Sequence, residues 1–178
     1  VDRILKAQGA TNRRLMSLEN LMCLLPCVDG DVVEEDPLAA VRSGKTKEIS
    51  LLVGTTLDEW KLFAAVDSGG LPTLGEAQML QRFGAVLANV SPSAPAAEVA
   101  VAQYREAVRS RGGQTSPFDV WNAFQSARVF HYPASLLAEA QAAAGGRAFA
   151  YLFTWRPPAL RRALGDAPAE QGEVDLAL

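Results

Sequence analysis

The stretch at residues 48–63, EISLLVGTTLDEWKLF, constrains the fold more than any other. Residues 49–53 are a short run of branched and aliphatic side chains, with charge before it and Gly54-Thr55-Thr56 after it. A run this short and this apolar fits a strand buried on both faces, as inside a parallel sheet. Beyond the turn, Leu62 and Phe63 follow Glu59 at helical spacing. Strand, Gly-containing turn and helix start form the edge of an open α/β sheet where ligands and catalytic side chains collect. Asp58 and Glu59 put two carboxylates on that turn. They read either as a solvated, acidic first turn favoured by the helix dipole, or as a carboxylate held partly buried for chemistry. The second reading needs a partner from elsewhere in the fold.

The chain has 178 residues, a common size for one domain and enough to bury a core. Hydrophobic residues at 49% against 21% charged mark it as globular rather than disordered. A net charge of −3, with Arg13-Arg14 and Arg161-Arg162 as isolated basic pairs, argues against a nucleic-acid partner. Cys23, Cys27 and the single His131 are too few for a structural zinc site. The two cysteines read as small core thiols, outside any disulfide framework. No Gly-rich phosphate loop or other cofactor motif occurs, so no cofactor is expected. No run approaches the roughly 18 apolar residues of a membrane span, and no signal-peptide pattern opens the chain. Val1 stands where an initiator Met would be, which suggests a trimmed or partial chain. The cytoplasm is the favoured location, with secretion left open.

Taken in order, an amphipathic helix is expected from Leu15 through Leu25, with Thr11 or Asn12 as cap. Residues 27–33 read as two short extended pieces around an Asp29-Gly30 turn. Asp36 and Pro37 open a short helix that Ser43-Gly44 ends. After Phe63 the helix stops at Ser68-Gly69-Gly70. Thr73 and Glu76 match a capping box opening a helix to about Asn89. Residues 91–95 are a linker, residues 96–109 a helix, and Gly112-Gly113 a break. Ser116-Pro117 opens a helix with Phe118, Trp121, Phe124 and Ala127 at spacings of three, a pattern of a buried face. Residues 133–144 form an Ala-rich helix ended by Gly145-Gly146. Residues 147–155 alternate, with Phe149, Tyr151, Phe153 and Trp155 on one side of a second strand. Arg156-Pro157-Pro158 ends it. Two strands separated by a long helical insertion are expected to be parallel neighbours in a larger α/β sheet. A sheet cut between strands leaves an unpaired edge, so the isolated chain is expected to be prone to aggregate.

No complete catalytic set is present in this order. No serine has the G-x-S-x-G context of a nucleophile elbow. His131, at a helix boundary, reads as a packing residue with one hydrogen bond. Four motifs in register nevertheless carry a resemblance. Cys27-Val28-Asp29-Gly30-Asp31-Val32, Asp36-Pro37-Leu38 and residues 51–60 (LLVGTTLDEW) are the first three. The fourth cluster joins residues 128–134 (RVFHYPA), residues 137–141 (LAEAQ) and Tyr151-Leu152-Phe153-Thr154-Trp155. Over about residues 20–165 the chain resembles the type-B carboxylesterases, the bacterial relatives of cholinesterases.

The resemblance implies a partial α/β-hydrolase fold, holding the C-terminal strands of the sheet and a long helical insertion. Residues 1–47 would lead in, and 48–67 carry the strand, loop and helix with the catalytic acid. Residues 68–146 would form the helical region, 147–165 a strand and loop, and 166–178 a divergent tail. It implies a serine hydrolase with a Ser-Glu-His triad in which Glu59 is the acid that orients the imidazole. Asp58 is then a structural neighbour. Trp60 and Phe63 would line an apolar acyl or alcohol pocket, with core packing the equal alternative. By the same resemblance the nucleophile elbow lies upstream of this sequence, and Pro168 stands where the catalytic His is expected. The chain is therefore expected to be inactive alone, acting on a small-molecule ester only when an N-terminal part completes it. The alternative is a non-catalytic, cholinesterase-like interaction module.

Overall fold

The computed structural model describes residues 1–15, 26–68, 73–90, 93 and 95–155. Residues up to Pro37 and residues from Leu38 onward form two separate compact units.

In the first unit, helix α1 spans Asp2–Leu15, with Asp2 placing negative charge in its first turn. Thr11 therefore lies within the helix rather than capping a later one, and residues 16–25, including Cys23, fall outside the described residues. The Asp29-Gly30 turn is present, without the extended pieces expected around it. Asp29 Oδ1 accepts the backbone N–H groups of Asp31, Val32 and Val33, each at 3.0 Å. A side chain that satisfies three consecutive donors offers the backbone an alternative to strand pairing. These bonds, from Asp31 first and then Val33, hold the Asp29 carboxyl below its ordinary range. Cys27 is an exposed free thiol, not a core residue.

Most of the fold lies in the second unit. Its elements are α2 (Pro37–Arg42), β1 (Leu51–Thr56), α3 (Trp60–Ser68), α4 (Glu76–Val90), α5 (Ala97–Ser110), α6 (Pro117–Ser126), a π-helical turn (Ala127–His131), α7 (Tyr132–Ala143) and β2 (Ala148–Phe153). Helix α4 is capped differently from the sequence expectation: Gly75 N–H donates to Gln78 Oε1 at 3.3 Å. Helix α6 begins as expected, with Ser116 Oγ accepting the Asp119 N–H at 3.2 Å and Pro117 in its first turn.

The core lies among α4, α5 and α6. Met79, Phe83 and Val86 recur at helical spacing and meet Val101 and Val108 of α5 and Phe118, Trp121 and Phe124 of α6. Phe83 stacks on Phe124 at 4.3 Å between ring centres and meets Trp121 edge-on at 5.5 Å. Tyr104 completes the cluster, 5.3 Å from Phe124, and burial pushes its phenol pKa upward. The aromatic stripe expected on α6 is thus core.

Helices α6 and α7 run on through the π-turn, where Tyr132 N–H reaches back to the Ala127 carbonyl. Pro133 accounts for this irregularity. It has no N–H to give the carbonyl four residues earlier, and its ring crowds that position in a plain α-helix. Helix α7 ends in a Schellman motif, with Gly146 N–H on the Gln141 carbonyl and Gly145 N–H on that of Ala142. Gly145 supplies the positive φ, 85°, that this ending requires. The buried Gln141 side chain then ties α7 to the approach of β1. Its Nε2 donates to the carbonyls of Thr46 (2.9 Å) and Ile49 (2.7 Å), and its Oε1 accepts from Thr46 Oγ1 (2.7 Å).

The two strands are parallel neighbours, in register from Leu51↔Ala148 to Thr56↔Phe153. The first strand begins and ends later than the sequence suggests, and takes in Gly54-Thr55-Thr56. Gly54 is needed because the Tyr151 ring lies across it: a Cβ there would fall 2.4 Å from ring carbons. Burial on both faces is not observed. Helix α7 packs on the strands, and alternating exposure assigns it the face of Leu51, Val53, Ala150 and Leu152. The opposite face is bare: Leu52 is 67% exposed, and Phe149, Tyr151 and Phe153 are each about two-fifths exposed.

Candidate active site

At the carboxyl end of β1 the chain leaves the sheet through a turn, Leu57-Asp58-Glu59, and enters α3 at Trp60. Leu51 and Leu57 donate their N–H groups to β2, to Arg147 O and Phe153 O at 2.9 Å each. Odd-numbered residues of β1 therefore turn their backbone groups toward β2. Leu52, Gly54 and Thr56 turn theirs to the other edge, since these groups alternate sides along a strand.

At Thr56 both outward groups are occupied. The half-buried Glu59 folds back so that Oε2 accepts the Thr56 N–H at 2.7 Å. His131 Nε2 lies 3.0 Å from the Thr56 carbonyl, and since a carbonyl only accepts, that nitrogen carries the proton. The one hydrogen bond expected of His131 is therefore to the strand end itself. Glu59 Oε1 accepts no hydrogen bond among the described residues.

The turn is anchored from α6. Asp58 Oδ1 accepts from Asn122 Nδ2 at 3.0 Å, and Asp58 Oδ2 pairs with Lys61 Nζ at 3.4 Å. Lys61 also lies 3.8 Å from Asp119. The buried Ser126 Oγ accepts the Trp60 N–H at 3.1 Å, which satisfies one of the donors left open at the start of α3. Asp58 thus engages α6 while Glu59 engages the strand, so adjacent carboxylates do different work. Sequence reading missed Asn122, Ser126 and the supporting place of His131. A signal was present: Asp119, Asn122 and Ser126 recur at three and four residues, a polar stripe beside the aromatic one on α6.

Trp60 and Phe63 lie on the first turn of α3, beside this loop. Trp60 is buried and stacks with Phe63 at 5.9 Å; Phe63 is 41% exposed and stacks in turn on Phe130 of the π-turn at 5.6 Å. Trp60 is thus packed inside the fold, while Phe63 keeps an accessible ring. Among the described residues no group of His, Cys, Asp and Glu side chains could hold a metal ion, and no helix is long and apolar enough to cross a membrane. The place of the expected His, Pro168, and the tail at 166–178 lie outside the described residues, as do Arg156-Pro157-Pro158.

The architecture is mixed α/β with two parallel strands, and it matches part of an α/β-hydrolase of the carboxylesterase type. No family model matches the chain. Among solved structures it is similar to the carboxylesterase EST55 of Geobacillus stearothermophilus, in crystal structures at pH 6.2 and pH 6.8. Identity is 27% in both cases, over 88% of this chain, with TM-scores of 0.58 and 0.56. The match takes in 34% and 33% of that carboxylesterase, so this chain spans about a third of its length.

Proposed function

We propose that this chain is the C-terminal part of one carboxylic ester hydrolase domain, and that Glu59 is the acid of its Ser-Glu-His triad. The observation that carries the reading is the Glu59 carboxylate at the carboxyl end of β1, with Oε2 fixed on the Thr56 N–H at 2.7 Å. A carboxylate held by one oxygen can present the other to an imidazole N–H. There it selects the tautomer that leaves the far nitrogen free to act as base, and it stabilises the imidazolium that forms. In such a hydrolase a serine hydroxyl attacks the ester carbonyl as the imidazole takes its proton. The departing alcohol recovers that proton, and water then releases the acid by the same route. Glu59 stays ionised throughout. Phe63 would contribute one wall of the apolar pocket for the ester, and Trp60 would support it from beneath.

Under this reading a further polypeptide segment supplies the serine and the imidazole, so the 178 residues by themselves should hydrolyse a p-nitrophenyl ester no faster than buffer. Combined with a segment that supplies both, it should turn the ester over, and Glu59→Gln should lower kcat by about three to four orders of magnitude. Turnover undiminished by Glu59→Gln would falsify the assignment. A second reading, a non-catalytic interaction module, draws on Pro168 at the place expected for the His. Under it no combination of segments restores turnover.

A further inference from the structure

We propose that His131 is the positioning residue of the Glu59 carboxylate. From the π-turn its imidazole pins the Thr56 carbonyl and so fixes the strand end on which Glu59 folds back. The catalytic consequence rests on reading Glu59 as the triad acid; the contact itself is testable without that reading.

Three observations carry it. The first is that Glu59 and His131 hold neighbouring groups of one residue. Oε2 accepts the Thr56 N–H at 2.7 Å, and Nε2 donates to the Thr56 carbonyl at 3.0 Å. In a strand these two groups leave by the same edge. Carboxylate and imidazole therefore stand side by side, in the places that the acceptor and donor of a paired residue would fill.

The second is that the last paired peptide of β1 is held from both edges. Leu57 N–H donates to Phe153 O at 2.9 Å on the side of β2, and His131 takes the carbonyl of that same peptide on the other. Two opposed ties fix the plane of a peptide, whereas one lets it swing about the remaining bond. The turn that carries Glu59 departs from this peptide, so any swing would move the carboxylate.

The third is the π-turn, which packs against β1 and grips the loop at both ends. Consecutive side chains do this: His131 holds Thr56 just before the loop, and Phe130 stacks on Phe63 just after it at 5.6 Å. Single π-turns inside helices recur at functional sites. A local explanation competes, because a glutamate three residues on reaches back in the same way in a capping box. Thr56, however, is the last residue of β1 and α3 starts only at Trp60. The other half of such a box, the Thr56 hydroxyl on the Glu59 N–H, does not occur among the described residues.

NMR on the 178-residue chain tests this, and its one histidine makes the imidazole signals unambiguous. In the unaltered protein Nε2 should carry the ring proton and show a coupling across the hydrogen bond to the Thr56 carbonyl carbon. The Thr56 amide should be coupled likewise to the Glu59 carboxyl carbon. His131→Phe keeps an aromatic ring without the donor. It should abolish the Thr56–Glu59 coupling and speed exchange of the Thr56 amide roughly tenfold or more, as loss of a charge-assisted bond does. His131→Gln, whose amide reaches toward the same carbonyl, should restore both. Thr56 is exposed, so water replaces the imidazole there and the midpoint of urea unfolding should be alike in all three forms. In the two-segment hydrolase, His131→Phe should lower kcat about tenfold at unchanged KM, since displacing a catalytic group by about 1 Å costs up to about a hundredfold. A ring protonated only at Nδ1 in the unaltered chain, a Thr56–Glu59 coupling that survives His131→Phe, or one lost only together with a lowered unfolding midpoint would each overturn the proposal. So would loss of the His131–Thr56 coupling in Glu59→Gln, which would make the carboxylate the holder of the imidazole. Undiminished turnover in Glu59→Gln would count against the triad role, while the couplings decide the positioning on their own.

Discussion

Adjacent residues in this fold take opposite duties, and hydrogen-bond partners decide which. Asp58 and Glu59 are indistinguishable as sequence, two acids on one turn. Asn122 and Lys61 claim the first, and the Thr56 N–H holds the second. The local pattern alone does not show that division, because it depends on a helix more than sixty positions away in the chain; only the family resemblance implied it. Ser126 shows the cost of losing such a partner. Ser126→Ala leaves the buried Trp60 N–H without an acceptor and should destabilise the protein by about 1–3 kcal/mol, measurable in urea unfolding. Ser126→Thr, which restores an oxygen, should recover part of that loss. At Asp29 the expectation concerns pH. Its carboxyl titrates below the ordinary range because backbone N–H groups, Asp31 first, favour the ionised form. The stabilisation of the turn is thus present above the unfolded carboxylate's pKa and is lost as pH falls through the folded value. Amide shifts of Asp31, Val32 and Val33 should move together on acidification, and Asp29→Asn should abolish that titration.

Elements were legible where the local pattern was self-sufficient. Asp36-Pro37 opened a helix as expected, and so did Ser116-Pro117. The alternating aromatics of β2 specified a strand and its one-sided pattern. Boundaries failed where tertiary contact overrode local chemistry: Gly54-Thr55-Thr56 reads as a turn, yet it is strand because β2 pairs with it and Tyr151 fills the space over Gly54. The π-turn was likewise invisible in periodicity, although its cause, Pro133, stood in plain view. Replacing that residue tests the cause. Pro133→Ala restores a donor for the Val129 carbonyl, so a structure of the variant should show an uninterrupted α-helix from Pro117 to Ala143. The residues after the turn would rotate, and His131 would leave Thr56. A π-turn that persists would mean that packing of Phe130 on Phe63, not the missing donor, imposes it.

For the whole molecule, the order of elements and the parallel pairing followed from two apolar runs separated by a long helical stretch. Whether each face of the sheet was covered did not. Short apolar runs look alike in a sheet with one layer of helices and in a sheet with two, so the face bearing Phe149 and Tyr151 could be recognised as bare only in the structure. Stability is concentrated away from that face, among α4, α5 and α6. Phe83→Ala should cost about 3–5 kcal/mol, seen as a lowered midpoint of chemical unfolding, since Phe83 is wholly buried against three rings. The parallel joining of β1 and β2 also orders events in time. Two strands lying the same way cannot zip from a hairpin; they meet only after the whole intervening chain has been drawn in, and each residue still loose there raises the entropy of closure. The helical cluster should therefore consolidate first and carry the strands together. In pulse-labelled refolding, amides of α4 to α6 should gain protection before those of Leu51 and Leu57. A ribosome making this protein would hold β1 unmated until the codons for Ala148 to Phe153 had been read.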